Sequence, residues 1–252
     1  MNYYLAEACQ NTFILFDCLP VSEVDEPFLL KAHRCLEEEG RDDALILVGG
    51  RTQQDAFYAR MIVLGQDGAL GEFCGNGARA CSAYLFRQYP QFQKFFLITP
   101  WGAHPLARYG EDIYSIKLPP ARFEGNKKFI VQCPENLKNF FYAEMIEPHL
   151  IVQEKMSDEM LLSIGKELNQ RRDIFPLGIN VNAWHVLEEG TLYVKTYERG
   201  VQRLTRSCGS GSICCAAFYK SRGSVRIIAP GGEMEVILQE DGVELKGPAS
   251  ID

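Results

Sequence analysis

The chain has 252 residues, 46% of them hydrophobic, enough for one large or two modest domains around a sizeable core. A formal net charge of −7 argues against nucleic acid or an anionic membrane surface as partner. No apolar run approaches the roughly 18 residues of a membrane span, Met1-Asn2-Tyr3-Tyr4-Leu5 lacks the pattern of a secretory signal, and nine irregularly spaced cysteines do not read as a disulfide framework, so a cytoplasmic protein with reduced thiols is expected.

Along the chain, Glu26 to Glu39 is predicted to be helical, and Phe57 to Leu64, Phe95 to Thr99 and Tyr114 to Leu118 read as strands. Between the first two strands lies Cys74-Gly75-Asn76-Gly77-Ala78-Arg79-Ala80-Cys81-Ser82-Ala83-Tyr84, a turn leading into a small-residue helix. Pro119-Pro120 stops both helix and central strand. It divides the chain into residues 1–118, with Cys74, and 119–252, with Cys208, the last residues being allowed to return to the first half. Ser157 to Leu168 reads as a second helix, capped by Ser157, with Met160, Leu161, Ile164 and Leu168 on its apolar face. Strands at Trp184 to Leu187 and Leu192 to Tyr197 precede a second turn and helix, Cys208-Gly209-Ser210-Gly211-Ser212-Ile213-Cys214-Cys215-Ala216-Ala217-Phe218. Val225 to Ile228 and Glu233 to Leu238 complete the predicted strands.

The two cysteine motifs stand at a constant offset of 134 residues (208 − 74, 215 − 81, 217 − 83). A second echo, Ile98-Thr99-Pro100-Trp101-Gly102 against Ile228-Ala229-Pro230-Gly231-Gly232, lies 130 residues apart (230 − 100). Each half therefore runs cysteine turn, helix, strand, Pro-x-Gly turn, strand, as a duplicated fold would. A helix N-terminus carries about half a positive charge and a set of unpaired N–H groups, and a cysteine there can have its pKa lowered toward neutrality. Lacking Cβ, Gly75, Gly77, Gly209 and Gly211 can take positive φ and let the backbone approach a ligand closely. Two such helix ends can hold a carboxylate between them and stabilise the charge that develops when an α-proton leaves. A single Cys-Gly turn is usually structural; two with shared glycines and a shared small-residue tail point to a pair of thiols that removes a proton from one face of a carbon and returns one to the other. Cys9, Cys18, Cys35, Cys81, Cys133, Cys214 and Cys215 are assigned to packing. No metal site is expected, since there is no Cys-x-x-Cys pair and His33, His104, His149 and His185 fall at no ligand spacing.

In this order and at this separation the two motifs resemble those of the diaminopimelate epimerase family, cofactor-independent amino-acid epimerases. The resemblance covers nearly the whole chain. Asn11-Thr12-Phe13 is similar to an early Asn-Asp-Phe, and Asp67-Gly68 with Glu72 precede the first cysteine. Pro148-His149 resembles a Gly-Asn-Pro-His element, Ile179-Asn180-Val181 a Thr-Asn-Val element, and Tyr197-Glu198-Arg199-Gly200 a Trp-Glu-Arg-Gly element followed by Thr205. Pro230-Gly231-Gly232-Glu233 and Gly247-Pro248-Ala249 resemble its ending. The resemblance implies an α+β fold of two pseudo-symmetric domains, each a β-barrel-like sheet around a central helix. It also implies that Cys74 and Cys208 exchange the roles of thiolate base and thiol acid. Gly75, Asn76, Gly209 and Ser210 would offer backbone N–H groups to the reacting carboxylate. Glu198 would take the α-ammonium and, with His149, set the proton balance of the thiols, while Asn11, Asn180 and Arg199 would bind the distal part of the substrate. Taken without the family, His149 reads as a structural histidine, Glu198-Arg199 as a solvated pair and Asn11 and Asn180 as turn residues.

Departures from the pattern cluster at the distal end. The family's Asn nine residues before the first cysteine is Gly65, its Asn before Pro-His is Glu147, and a Gln corresponds to Ala44; Thr12 replaces an Asp and Ala69-Leu70 a Ser-Glu pair. A tyrosine used by the family at its dimer contact does not follow Gly247-Pro248-Ala249, and a homodimer is kept as one arrangement. Glu147 attracts an ammonium and repels a carboxylate. The expected activity is epimerisation of LL- to meso-diaminopimelate with rebuilt distal contacts through Arg199, Arg203 or Arg206. A racemase of another, basic or smaller amino acid and a catalytically silent redox-sensing binding protein are the alternatives. The expected partner is a small-molecule amino acid, with no nucleic acid and no membrane. No cofactor is expected: no lysine motif suggests pyridoxal phosphate and no dinucleotide fingerprint follows a strand.

Overall fold

A computed structural model describes residues 2–123 and 140–252; Cys133 lies outside the described residues. The chain divides into two units, Met1–Leu118 with Glu244–Asp252, and Pro119–Val243. Among the described residues no helix is long and apolar enough to cross a membrane.

The first unit begins with a hairpin, β1 (Tyr4–Ala8) and β2 (Asn11–Cys18), and passes through α1 (Glu26–Glu39) to β3 (Asp43–Gln53) and β4 (Ala56–Gly65). The short β5 (Leu70–Gly71) leads to α2 (Gly75–Gln88), and β6 (Lys94–Thr99), β7 (Gly102–Arg108) and β8 (Ile113–Leu118) follow. The second unit holds β9 (Arg122–Phe123), β10 (Phe140–Met145), β11 (Glu147–Gln153), α3 (Asp158–Gln170), β12 (Asn180–Glu188), β13 (Thr191–Glu198), β14 (Arg203–Thr205), α4 (Gly209–Tyr219), β15 (Gly223–Ala229) and β16 (Gly232–Gln239). β17 (Gly242–Pro248) contains the unit boundary, and β18 (Ser250–Ile251) pairs with β1.

The units share one topology. β2 and β3 run parallel and are joined by α1; β11 and β12 run parallel and are joined by α3. β3–β4 and β12–β13 are antiparallel, each with a register shift. β4 and β6 are parallel through α2, as β13 and β15 are through α4. The sheet of the first unit packs around α2, whose residues Gly75 to Leu85 are all buried. That of the second packs around α4, buried from Gly209 to Ala216. Each unit is thus a barrel-like sheet around a central helix of small residues, the side chains that let strands approach closely.

The outer helices cover a separate face of their sheets. α1 starts at the cap Asp25, whose carboxylate accepts from the Phe28 N–H, and stops at Gly40 in the left-handed region (φ 62°, ψ 37°). It buries Ala32 and Leu36 against Ile14, Phe16, Ala44, Ile46 and Leu64. Ala44 is therefore a core position rather than a substrate contact. In α3, capped by Ser157, Leu161, Ile164 and Leu168 are buried as expected, but Met160 is 48% exposed, because it falls off the narrow stripe facing β12 and β13. The Pro-x-Gly echoes are two-residue hairpin turns that close on Gly102 and Gly232, at φ 122° and 136°, where a side chain would be strained.

Candidate active site

Both motif cysteines are helix N-caps with nearly the same backbone: Cys74 at φ −137°, ψ 109° and Cys208 at φ −126°, ψ 113°. Each sulfur accepts a hydrogen bond from the N–H of the third helical residue, Gly77 at 3.2 Å and Gly211 at 3.4 Å. Gly75 and Asn76, and Gly209 and Ser210, fill the first two helical positions, whose N–H groups point out of the helix end. None of the four motif glycines uses the positive φ open to it. The glycines provide room instead. A Cβ on Gly77 would lie 2.7 Å from Leu45 Cδ2, and one on Gly211 would overlap Asn182 Oδ1.

Around Cys74, a half-buried residue, the notable neighbour is Arg79, fully buried one turn along the same helix. Its Nη2 donates to Asn76 Oδ1 at 2.7 Å and to Cys9 Sγ at 3.3 Å. Its Nε and Nη1 find no hydrogen-bond partner among the described residues. Burial lowers the guanidinium pKa, while the Cys9 and Cys74 sulfurs oppose the fall. Cys9 is buried as assigned, yet it does more than fill space. It sits with Gln10 in the tight β1–β2 turn, both at positive φ (50° and 59°), a conformation that costs a non-glycine residue about 1–2 kcal/mol. Asn11 follows directly at the start of β2. Gly65 ends β4 opposite Asp43.

Cys208 is buried, and its thiol pKa is raised well above the usual value, by burial first and then by the Glu198 carboxylate; Ser210 and the Gly211 N–H oppose this, and Glu147 adds to it. Ser210 Oγ lies 3.5 Å from the sulfur. Glu198, at the end of β13, accepts from Thr205 Oγ1 at 2.8 Å. His149 is fully buried on β11, in register with Asn180 on β12. Asn182 Nδ2 donates to its Nδ1 at 3.1 Å, which leaves the proton on Nε2, an atom with no hydrogen-bond partner among the described residues. Burial, then the nearby Arg199, hold its pKa down at about 3, so the ring is neutral. Asn182 Oδ1 accepts from Thr196 Oγ1 at 2.9 Å, which fixes the amide between His149 and the first turn of α4.

A second group surrounds Asn180. Its Nδ2 donates to Glu147 Oε2 at 2.8 Å and its Oδ1 accepts from the Arg199 N–H at 2.9 Å. Arg199 Nη2 lies 3.6 Å from Glu147 Oε1, and its Nη1 donates to the Leu177 carbonyl at 3.2 Å. Within the second unit the structure therefore draws Cys208, Glu198, Glu147, Asn180 and Arg199 into one neighbourhood, with His149 held by Asn182. Sequence reasoning passed over Arg79 and Asn182. The signals were present: an arginine inside the small-residue run from Gly75 to Ala83, and a second asparagine two residues after the first, on the same strand face.

No family model matches the chain. A hydroxyproline epimerase from Agrobacterium vitis, solved with bound trans-4-hydroxy-L-proline, superposes with a TM-score of 0.73 at 16% identity, over 99% of this chain and 88% of that one. The fold is that of the two-unit epimerases and racemases. A diaminopimelate epimerase from Corynebacterium aurimucosum is 33% identical over 203 residues, 73% of this chain and 70% of the relative. One from Xylella fastidiosa is 29% identical over 210 residues, 76% of this chain and 74% of the relative. The chain belongs to the diaminopimelate epimerase family and is an isomerase.

Proposed function

We propose that the protein inverts the α-carbon of an amino acid with the Cys74 and Cys208 thiols and no cofactor. The observation that carries this reading is the twin arrangement of the two sulfurs, each the N-cap of a buried central helix and each held by the N–H of a glycine three residues on. In the reaction one sulfur, as thiolate, takes the α-proton, and the electron pair passes into the substrate carboxylate. The other, as thiol, returns its own proton to the opposite face. One proton is gained and one lost by the protein, and the thiols leave the turnover with roles exchanged. Helix-end N–H groups at Gly75, Asn76, Gly209 and Ser210 stabilise the charge that builds on the carboxylate, a kind of contact worth roughly 3–4 kcal/mol when one donor is removed. Glu198 receives the α-ammonium. His149, neutral and with its proton on Nε2, serves as a fixed donor rather than as the residue that charges the thiols. The curated relatives bear the name of diaminopimelate, so LL- to meso-diaminopimelate, a step toward lysine, is the reference reaction by kinship.

The test is α-hydrogen exchange, followed by NMR in D2O, with circular dichroism to read inversion. The wild-type protein is expected to exchange and invert its substrate, and Cys74→Ala and Cys208→Ala each to lose at least about a hundredfold in inversion rate. Full inversion by either variant would refute the two-thiol scheme. No exchange with any amino acid, together with a change of shape on oxidation, would instead favour a redox-sensing protein.

A further inference from the structure

The layer beneath α4 is polar where the matching layer beneath α2 is apolar. Register fixes the correspondence: Phe13, Leu45 and Val63 in the first unit stand where His149, Asn182 and Thr196 stand in the second. All six are buried. Apolar side chains fill these three places in one unit, so the fold itself does not call for the polar set. Burying such groups is costly unless each finds a hydrogen-bond partner.

Asn182 supplies the pairing. Its Nδ2 donates to His149 Nδ1 at 3.1 Å and lies 3.4 and 3.5 Å from the Leu150 and Asn180 carbonyl oxygens. Its Oδ1 accepts from Thr196 Oγ1 at 2.9 Å. The two carbonyls can only accept, which puts the amide nitrogen on their side and the amide oxygen on the other. His149 Nδ1 therefore accepts, and in a ring held neutral by burial the one proton sits on Nε2. A Cβ on Gly211 would fall 1.9 Å from the same amide oxygen, and the Gly211 N–H holds the Cys208 sulfur at 3.4 Å. Asn182 thus ties the ring to the turn that presents the thiol. Nε2, on the far side of the ring, is a buried donor with no hydrogen-bond partner among the described residues.

We infer that Asn182 is a positioning residue for the inversion: it fixes His149 as the Nε2–H tautomer, a donor to developing charge and not a base for the thiols. This role rests on the proposed two-thiol reaction. With Nδ1 occupied by an N–H and Nε2 already protonated, the neutral ring has no lone pair to offer a thiol. A ring protonated on Nδ1 would have one, and would compete for the proton that the sulfurs handle.

The test reads tautomer and rate separately. Two-bond 15N–1H correlations on protein carrying 15N-labelled histidine show which ring nitrogen is protonated, and His149 is assigned by the loss of its signals in His149→Gln. The wild type is expected to show His149 protonated on Nε2 alone. In Asn182→Leu, which installs the residue found in the first unit, an Nδ1–H form is expected to appear. Its kcat is expected to fall about tenfold, part of the roughly 10²–10³ that a lost donor costs, with KM changed less. Rates come from α-hydrogen exchange in D2O, on whichever of LL-diaminopimelate, L-lysine, L-ornithine and L-glutamate the wild type exchanges. Thr196→Val leaves the Nδ2 donor in place and is expected to keep the Nε2–H form with a smaller loss. A wild-type ring protonated on Nδ1 would overturn the inference without any variant having to fold. So would an Asn182→Leu protein of unaltered kcat, or one that loses kcat while its ring stays wholly Nε2–H. Absence of exchange with all four amino acids would overturn the two-thiol reaction, and this role with it.

Discussion

Leu45 stands against the first turn of α2, and at the same place on the repeated frame Asn182 stands against the first turn of α4. On the neighbouring strand Phe13 in the first unit corresponds to His149 in the second, as judged by register with Asp43 and Asn180. On the helices, five residues after the cysteine, Arg79 corresponds to Ile213. At the strand ends Gly65 corresponds to Glu198, and at the start of the strand after a strained turn Asn11 corresponds to Glu147. The frame is shared, but the charges are not. The first unit buries a cation on the helix over an apolar layer; the second buries a neutral polar layer and gathers carboxylates at its edge. The proposed inversion needs one sulfur as base and the other as acid at a time, and a duplicated frame with unlike lining gives its two sulfurs unlike surroundings.

Removing the cation attacks this contrast most directly. Arg79→Met takes away the buried guanidinium beside Cys74 and the donor that Asn76 Oδ1 and Cys9 Sγ share. Loss of one such electrostatic stabiliser costs about 10²–10³ in kcat, and Arg79→Lys is expected to restore part of it by keeping the charge. The matched change Ile213→Met, a volume-conserving swap, is expected to cost less than about 1.5 kcal/mol of stability and to leave kcat close to wild type. Steady-state kinetics on variants whose melting curves remain cooperative checks both. Equal behaviour of the pair would mean that the polarity of the two units is incidental.

The glycines sharpen the comparison on a smaller scale. In Gly77→Ala the new methyl meets the far end of Leu45, which can rotate aside; in Gly211→Ala it meets an Asn182 amide tied to both Thr196 and His149. Gly77→Ala is expected to cost about 1–2 kcal/mol and Gly211→Ala about 3 or more. Adding Asn182→Ala to Gly211→Ala should recover part of that loss. Urea denaturation of the set measures it, and a double variant no better than the single one would remove Asn182 as the cause.

Much of this frame was readable from residue order alone. The helix Glu26–Glu39 was read at the bounds that Asp25 and Gly40 cap in the structure, and the duplication was announced by Cys-Gly-x-Gly and Pro-x-Gly at nearly constant offsets. The strands Asn11–Cys18 and Asp43–Gln53 went unread, because each is buried on both faces and its run of apolar residues carries no alternation. Gly102–Arg108 and Glu147–Gln153 were masked by Pro105 and Pro148. The motif glycines were recognised, but not the tight approach of Leu45 and Asn182 to two of them, which comes from strands distant in sequence. The linkage of Glu147, Asn180 and Arg199 has the same origin: the types were visible, and only the parallel pairing of β11 with β12 brings them together.

His149 gives an effect that appears only on acidification, and its sign is clear. Its ring is held neutral by burial first and by the Arg199 charge second, with a pKa of about 3 in the folded protein against an ordinary value near 6.5. The unfolded chain therefore binds a proton that the folded one refuses across that interval. Stability from the neutral ring is fully present above about pH 6.5 and is lost as the pH falls toward 3, at roughly 1.4 kcal/mol per unit. Phe13, its counterpart, carries no such dependence. In His149→Gln the amide oxygen still accepts from Asn182, and nothing titrates. Between about pH 7 and pH 4.5 the wild type is expected to lose about 2–3 kcal/mol more than this variant, measured by urea denaturation at both values. Parallel losses, or an NMR titration of the His149 ring near pH 6.5, would place a charge beneath α4 and erase the contrast between the two units.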